Sequence, residues 1–495
     1  MKKSIFGLLL MMEAVFLAVT TLVALYYHYT LGESDWEAFA LTTAITLLSG
    51  ATLTVYGRAG SDSRKRQLSR GGSFIIVGMT WVVFSAFGML PFIFYEGLPI
   101  DPVSAYFETM NGFTTTGATV LSDLESLPHG ILFWRSLMQW LGGLGIVVFS
   151  FALLPVSDMK NSTMFQAETT GITLSRLTPK IGSTARRLLL IYLLLTAACA
   201  VAFWAGPMNL FDALNHSMTA VSTGGFSTHT ASIGYFQSAY IEYVTAAFMF
   251  ISSINFYLLY YISIRRWQVC VRNEELQSYV LMFVGMMAFF CLMFRFYSSV
   301  SCPVSMPQTG EEIFRTSFFH VSSIFTSTSF TARDFVCVNT PFWFPTLLMM
   351  IIGGCAGSTS GGVKVVRVII YMKNVLREFR IHLHPRAIIS IRMNGHVVSD
   401  QHVRRVMSYL VVYVLLLVVG SAIFSMLLGY GLEASVALCI ASFSNVGSSL
   451  GELGLPGDYA SLPAFGKIFL SLLMLIGRLE IFTVLFLFMP KSWRL

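Results

Sequence analysis

Four short polar stretches with one shared pattern interrupt an otherwise apolar sequence. When Gly117, Gly225, Ser329 and Gly447 are aligned, the residues three positions earlier and two positions later are in every case serine or threonine. The stretches are TTTGAT at 114–119, STGGFS at 222–227, TSTSFT at 326–331 and SNVGSS at 444–449. In a membrane pore, backbone carbonyls and hydroxyl groups replace the water around a cation, and glycine lets the backbone turn its carbonyls toward the ion. The four loops therefore predict a ring that dehydrates a cation.

The composition indicates that these loops belong to a membrane protein. Of the 495 residues, 55% are hydrophobic and 12% are charged, whereas soluble domains carry about 25% charged residues. Shorter apolar stretches before each polar loop predict re-entrant helices, because irregular backbone at membrane depth needs protein or water around it. Ten segments are long enough to span a bilayer at about 20 residues each: 5–29, 37–57, 73–95, 131–155, 184–205, 238–264, 277–299, 342–372, 403–428 and 465–489.

The order of spans and loops predicts an all-α polytopic membrane protein. Two leader spans precede four pseudo-fourfold units, each a span, a re-entrant pore helix, a polar loop and a span, around one central pore. Nine residues before the aligned positions, Glu108, His216 and His320 extend the repeat into three pore helices, and the two histidines are expected to brace these helices by hydrogen bonding. The predicted boundaries are 1–72 for the leader and 73–183, 184–276, 277–402 and 403–495 for the units.

Basic residues indicate the orientation, because cationic side chains near span ends stay on the cytoplasmic side. With both termini inside, most lysines and arginines fall in inner segments, including 58–72, 156–187 and 364–405. All four polar loops then open to the outside. The net charge of +7 therefore does not indicate nucleic-acid binding. The basic segments indicate a solvated inner surface, or contact with anionic membrane lipid or an acidic partner.

A second polar segment, GGCAGSTSGG, interrupts the eighth predicted span. Its free backbone groups need protein partners or a water-filled cavity, which predicts a gating loop below the ring. Close helix packing through small residues is the alternative. Arg478 lies inside the last span and needs a partner there, whereas Lys364 is predicted to lie at the membrane interface. The predicted gate contains Gly353, Gly354, Cys355, Ala356, Gly357, Ser358, Thr359, Ser360, Gly361 and Gly362, together with Arg478.

Longer motifs carry a resemblance to a known family. They are the polar loops, QWLGGLGI at 139–146, GGCAGSTSGGVKVVR at 353–367, NVGSSLGELG at 445–454 and GRLEIFT at 477–483. With these motifs the chain resembles the Trk/Ktr/HKT superfamily of potassium transporters, most closely its bacterial TrkH/TrkG branch. The resemblance implies potassium uptake across the bacterial inner membrane by a homodimer that works with a cytoplasmic TrkA-like nucleotide-binding ring. It implies no bound cofactor, only the transported potassium ion.

The resemblance also assigns a selectivity filter whose carbonyls bind potassium, and it places Arg478 against the carbonyls of the gating loop, where it repels cations. Ser329 stands where the family has glycine. A Cβ at this position disfavours left-handed backbone. One of the four carbonyls is therefore expected to point in a different direction from the others, or to be joined by a hydroxyl group. The expected result is weaker selection of potassium over sodium, with strict potassium selectivity as the alternative. The filter residues are Thr115, Thr116, Gly117, Thr223, Gly224, Gly225, Ser327, Thr328, Ser329, Asn445, Val446 and Gly447.

Passive, gated conduction is the predicted mode of transport. Ion-coupled symport is the alternative, although no spanning relay of carboxylates supports proton coupling. An intramembrane enzyme is not predicted: Val365 stands where a phosphate loop needs serine or threonine, and no histidine lies near the middle of another predicted span to act as a base for Ser360. A disulfide between Cys302 and Cys337, which flank the third re-entrant helix, stays open.

Overall fold

The structure is a computed structural model that describes residues 2–59, 70–145, 181–297, 307, 309–333, 340–447, 458–479, 481–485 and 487. Within these ranges the chain is helical apart from loops and one two-stranded antiparallel hairpin, β1 (Arg392–Met393) with β2 (His396–Val397). Cys302 and Cys337 lie outside the described residues, so their pairing stays a prediction.

The leader and the first two units run from α1 to α10. We call the span before each pore helix the outer helix and the span after it the inner helix. The leader has α1 (Lys2–Leu31) and α2 (Trp36–Ala59). Unit one has the outer helix α3 (Arg70–Gly88), α4 (Leu90–Phe94), the pore helix α5 (Pro102–Phe113) and the inner helix α6 (His129–Leu144). Unit two has the outer helix α7 (Ile181–Trp204), the pore helix α8 (Leu210–Val221), a 3-10 turn (Ser232–Phe236), the inner helix α9 (Ala239–Ser252) and α10 (Phe256–Ser263).

The last two units continue the same order. A short helix, α11 (Trp267–Val271), leads into unit three, with the outer helix α12 (Glu274–Tyr297), the pore helix α13 (Gly310–Phe325), the inner helix α14 (Thr340–Ile352) and α15 (Val365–Leu383). After the β-hairpin, unit four has the outer helix α16 (Asp400–Leu428), the pore helix α17 (Leu432–Phe443), a 3-10 turn (Asp458–Ser461), the inner helix α18 (Ala464–Leu479) and α19 (Ile481–Leu485).

The outer helices are long and continuous, whereas the inner helices are short, bent or broken. Six segments are long and apolar enough to cross a membrane alone, and α9 with α10 makes a seventh span that bends by 101°. The other three predicted spans contain α6, α14 and α18, which have 16, 13 and 16 residues. The count of ten spans therefore stays a prediction, while the multi-pass helical class is confirmed.

Helix packing closes the four units into a ring. Each pore helix packs between the outer and inner helices of its own unit. Each inner helix also packs against the pore helix of the next unit: α6 against α8, α9 against α13, α14 against α17, and α18 back against α5. The last contact joins unit four to unit one. The predicted arrangement of four units around one axis is confirmed.

The beginnings of the pore helices are fixed by side-chain caps that the local sequence provides. Asp101, Asn209 and Thr309 each accept a hydrogen bond from a backbone N–H in the first turn, at N···O distances of 3.0, 2.7 and 3.2 Å. Such caps satisfy N–H groups that the helix cannot pair itself. The fourth pore helix begins after Gly431 without a side-chain cap.

Candidate functional site

The four polar loops repeat one backbone conformation directly after the pore helices. The hydroxyl residue that begins each pattern is the C-cap of its helix. In all four loops, the N–H of the second predicted filter residue donates to the carbonyl five residues earlier, at 2.8 to 3.0 Å. The first predicted filter residue is left-handed throughout, with φ of 51° at Thr115, 55° at Thr223, 57° at Ser327 and 53° at Asn445. Four different sequences therefore adopt the same turn.

The third predicted filter position is left-handed in three loops. The φ angles are 92° at Gly117, 78° at Gly225 and 68° at Ser329, while Gly447 lies outside this region. Glycine adopts a left-handed conformation without steric cost. It is also needed for space, because a Cβ on Gly117 or Gly225 would overlap a carbonyl of the neighbouring loop, and a Cβ on Gly447 would overlap the backbone of Gly117.

Ser329 keeps the left-handed backbone of the glycines despite its side chain. Its Oγ donates to the carbonyl of Thr116 at 3.4 Å and accepts from the N–H of Gly447 at 2.5 Å. Because the units follow one another around the ring, Thr116 belongs to the loop opposite Ser329. The hydroxyl therefore lies within the ring. Its hydrogen bonds join the third loop to the first and fourth loops, while the effect of the serine on ion selection stays a prediction.

In units one and two, the side chain nine residues before the aligned position binds the hydroxyl group two residues after that position. The Thr119 hydroxyl donates to Oε1 of Glu108 at 2.8 Å, and Nε2 of His216 lies 2.9 Å from the Ser227 hydroxyl. His320 instead reaches the inner helix, where its Nε2 lies 3.4 Å from the Thr346 hydroxyl. The first two contacts fasten the loops of units one and two to their own pore helices, whereas the His320 contact joins the third pore helix to its inner helix.

A fully buried ion pair lies behind the first two loops. Arg135 on α6 donates from Nε to Oε1 of Glu108 at 2.9 Å, and the side chains are 1% and 0% exposed. Its remaining nitrogens donate to the Ser227 carbonyl at 3.0 Å and to the Thr119 hydroxyl at 3.1 Å, and the guanidinium stacks over Phe226. Sequence reasoning missed Arg135, because it lies within a predicted span with no motif around it that suggests a charge partner.

Two buried side-chain amides bind the backbone of the first two polar loops directly. Oδ1 of Asn111 accepts from the N–H groups of Gly117 and Ala118 at 2.7 and 3.0 Å. On α6, Gln139 donates to the Gly224 carbonyl at 2.7 Å and accepts from the Phe226 N–H at 2.9 Å. These residues were also missed as site residues. Gln139 could have been found from the sequence, because it is the first residue of the QWLGGLGI motif.

An open cavity lies on the side of the ring away from residues 353–362. The third predicted filter residue of every loop contributes to its lining, together with Tyr459 and His229. Near its edge Glu125 accepts two hydrogen bonds from Thr230, at 2.9 and 2.5 Å. Partial burial raises the pKa of Glu125, but the bonds from Thr230 outweigh burial and hold it below its ordinary value. The ionised carboxylate can attract a cation to this opening.

Residues 353–362 form an irregular loop between α14 and α15, directly beneath the polar ring. The chain turns at Gly353, Gly357 and Gly362, with φ of 68°, 70° and 77°. The N–H of Gly361 donates to the Ser327 hydroxyl at 2.5 Å, so the segment touches a predicted filter residue. The Thr359 hydroxyl reaches the Val221 carbonyl, the last residue of the second pore helix, at 3.1 Å. The loop is therefore in direct contact with the third polar loop and with the end of the second pore helix.

Two cationic side chains contact the carbonyls of this loop. Nη1 of Arg478 donates to the Thr359 carbonyl at 2.7 Å. Nζ of Lys364 donates to the Ser360 carbonyl, and the lysine is 8% exposed. The expectation that Lys364 lies at the membrane interface is therefore wrong. Lys364 itself has a φ of 81°, and this turn folds the chain back so that the ammonium lies under the loop.

Comparison with known proteins gives one consistent family. The family model for TrkH, described as a cation transport protein, matches residues 38–495. The chain is 37% identical to the Trk system potassium uptake protein TrkH of Halomonas elongata over 99% of this chain and 98% of that protein. It is 36% identical to the Trk system potassium uptake protein TrkH of Escherichia coli K12, with the same coverage. These relatives are named as transport proteins, so the prediction that the chain is not an enzyme is confirmed.

A solved structure agrees with the sequence comparisons. The crystal structure of the potassium transporter TrkH from Vibrio parahaemolyticus aligns with a TM-score of 0.86 and 32% identity, covering 99% of each chain. The fold, the family model and full-length similarity to curated relatives therefore agree, and this chain belongs to the TrkH family of cation transport proteins.

Proposed function

We propose that this chain takes up potassium across the bacterial inner membrane through one gated, channel-like pore. The names of its relatives support potassium as the cargo. The observation that carries the mechanism is the repeated turn at the ends of four pore helices that pack in a closed ring. Helix C-termini carry partial negative charge, and four of them beside one axis favour a cation there.

In this proposal, the selectivity filter is a ring of backbone carbonyls. Each loop contributes three consecutive residues, which begin at Thr115, Thr223, Ser327 and Asn445. These carbonyls replace the hydration shell of potassium. The buried Asn111 and Gln139 amides support the assignment, since they hold loop backbone where small displacements would change the ring.

The gate in this proposal is the loop 353–362 with Arg478. The position of the loop under the ring, where it bonds to Ser327, supports a role in closing the path. The Arg478 contact to the Thr359 carbonyl supports a second role. A guanidinium beside the path repels cations until the loop and the arginine move apart.

Cation flux into liposomes containing the purified protein tests the function. Potassium and rubidium should enter down their own gradients, faster when a TrkA-like partner ring is present. We expect Gly225→Ala to abolish flux, because its Cβ would overlap the Thr328 carbonyl. Gly285→Ala is the matched control, since Gly285 has open space around it, and it should conduct like the wild type.

Two outcomes of the flux assay would change the proposal. Absence of potassium flux even with the partner ring would contradict a pore. Flux that appears only with a sodium or proton gradient would favour ion-coupled symport instead of passive conduction.

Ser329→Gly is expected to sharpen selection of potassium over sodium. The hydroxyl within the ring adds an oxygen that a glycine ring lacks, and it ties opposite and adjacent loops through Thr116 and Gly447. We expect the potassium-to-sodium flux ratio to rise several-fold in liposomes. Ser329→Ala removes the hydroxyl and keeps the Cβ, so it separates the oxygen from the backbone effect. A wild type that already excludes sodium would favour strict potassium selectivity.

The assembly is proposed on family grounds. We propose a homodimer regulated by a cytoplasmic TrkA-like nucleotide-binding ring, with both termini in the cytoplasm. The docking surfaces in this proposal are the basic segments 58–72, 156–187 and 373–402, of which the first two lie largely outside the described residues. The unit boundaries after residues 72, 183, 276 and 402 also stay part of the proposal.

A further inference from the structure

Two consecutive glutamates begin the outer helix of unit three, and they face different parts of the protein. Glu274 and Glu275 lie in the first turn of α12. Successive residues on an α-helix point about 100° apart, so the two carboxylates reach different neighbours. Acidic side chains are favourable in a first turn because the helix N-terminus is partly positive. The turn is fixed further by Asn273, whose Oδ1 accepts from the Leu276 N–H at 2.9 Å.

Glu274 binds the β-hairpin that connects α15 to α16. Its N–H donates to Oδ1 of Asn394 at 2.8 Å, and its Oε1 accepts from the Asn394 N–H at 2.8 Å. Lys373 on α15 donates to Oε2 of the same carboxylate and to the Arg392 carbonyl. These reciprocal bonds join the beginning of α12 to the tip of the hairpin.

The hairpin is a rigid element rather than a loose connection. Asn394 and Gly395 form its two-residue turn with φ of 48° and 79°, and Asn-Gly favours the turn type that fits strand twist. The neighbouring Ile391, Met393 and Val398 are buried in the core that also contains Ala356. A displacement of the hairpin is therefore passed to its neighbours.

Glu275 binds the gating loop. It is 6% exposed, and its Oε1 accepts from the Ala356 N–H at 2.6 Å. A buried backbone N–H that loses its acceptor is costly, so this bond helps to hold the loop at Ala356. Three residues further along the loop, Arg478 donates to the Thr359 carbonyl. The loop is thus held from two sides: the Glu275 carboxyl group binds one backbone N–H, and the Arg478 guanidinium binds one backbone carbonyl.

We propose that Glu274 and Glu275 transmit movement of the cytoplasmic hairpin to the gating loop. Glu274 joins the first turn of α12 to Asn394, and Glu275 joins the same turn to Ala356. A partner that displaces the hairpin shifts this turn and pulls on the loop. Glu275 is a positioning residue in this scheme, since it acts on the ion through the loop. The inference rests on the proposed gate.

Liposome flux with and without a TrkA-like ring tests the coupling through Asn394→Gly and Glu275→Leu. Glycine keeps the left-handed backbone at 394 and loses the side-chain bond to the Glu274 N–H, while the backbone bond to Oε1 of Glu274 remains, so the stimulation by the ring should fall about twofold to fivefold while ring binding and the potassium-to-sodium ratio stay unchanged. Glu275→Leu removes the acceptor for the Ala356 N–H and should raise ring-free flux about threefold to tenfold and reduce the stimulation. Glu378→Gln, on an exposed carboxylate of α15, is the control and should behave like the wild type.

Hydrogen exchange gives a second readout that does not depend on flux. The backbone amide of Ala356 should exchange faster in Glu275→Leu, which has no acceptor for it, and addition of the ring should change its exchange less in Asn394→Gly than in the wild type. Full stimulation in both variants, with unchanged exchange at Ala356, would overturn the coupling. If Arg478→Gln raises ring-free flux while these two variants match the wild type, the coupling alone fails. If Arg478→Gln also leaves ring-free flux unchanged, the result contradicts the proposed gate itself, on which the coupling rests.

Discussion

Glu108→Gln is expected to lower the free energy of unfolding by about 3–5 kcal/mol, the usual cost of breaking a buried ion pair by removing one partner. The variant leaves the guanidinium of Arg135 uncompensated among buried groups. Arg135 also holds the Ser227 carbonyl and the Thr119 hydroxyl, so the first two loops should loosen together. The measurement is thermal unfolding of the purified protein in detergent, followed by potassium flux at a temperature where the variant stays folded.

A double-mutant cycle separates the ion pair from other effects of the substitution. Glu108→Gln with Arg135→Gln removes both charges, so we expect the double variant to be more stable than Glu108→Gln alone. Glu433→Gln is a matched control, because Glu433 lies exposed in the first turn of the fourth pore helix. An unfolding temperature of Glu108→Gln equal to that of Glu433→Gln would contradict the structural importance of the pair.

Arg478→Gln is expected to raise potassium flux through the protein alone, without a partner ring. The lost contact is a hydrogen bond from a charged group to the Thr359 carbonyl, and such bonds contribute about 1.5–3 kcal/mol. A shift of this size in a closed-to-open equilibrium corresponds to roughly 10- to 150-fold more open protein. The measurement is rubidium uptake into liposomes at matched protein density.

Two controls distinguish the gate contact from a general loss of charge. Arg478→Lys keeps the positive charge and should stay closer to the wild type. Lys467→Gln removes a cation from the same helix, where Lys467 bonds to Ser104 and Ala460 instead of the gating loop, so it should leave ring-free flux low. Background flux in Arg478→Gln would mean that this contact does not keep the pore closed.

The repeat could be predicted from the sequence because its signals are local. A hydroxyl C-cap, a left-handed turn and a glycine where space is short all fall within a few residues, so alignment of four short stretches was enough to predict the loops. The interruption at 353–362 was likewise visible, since five glycines within ten residues are incompatible with a lipid-facing helix.

The supporting contacts could not be predicted, because they join residues far apart in the sequence. Arg135 and Glu108 are 27 positions apart, and Glu275 and Ala356 are 81 positions apart. A charge inside or at the end of an apolar span carries no local signal about which distant group compensates it. Lys364 was misplaced for a related reason: its partner is the Ser360 carbonyl of an irregular loop, whose path the sequence does not reveal.

A ring built from one chain differs in its evolution from a ring built from four identical subunits. In a homotetramer, one codon change places a new side chain in the pore four times, and four hydroxyls at one level would crowd the axis. Here the serine at position 329 occurs once in the ring, beside glycines at 117, 225 and 447. If the proposed filter is correct, ion preference can be adjusted one oxygen at a time, whereas a single substitution in a symmetric pore changes four positions.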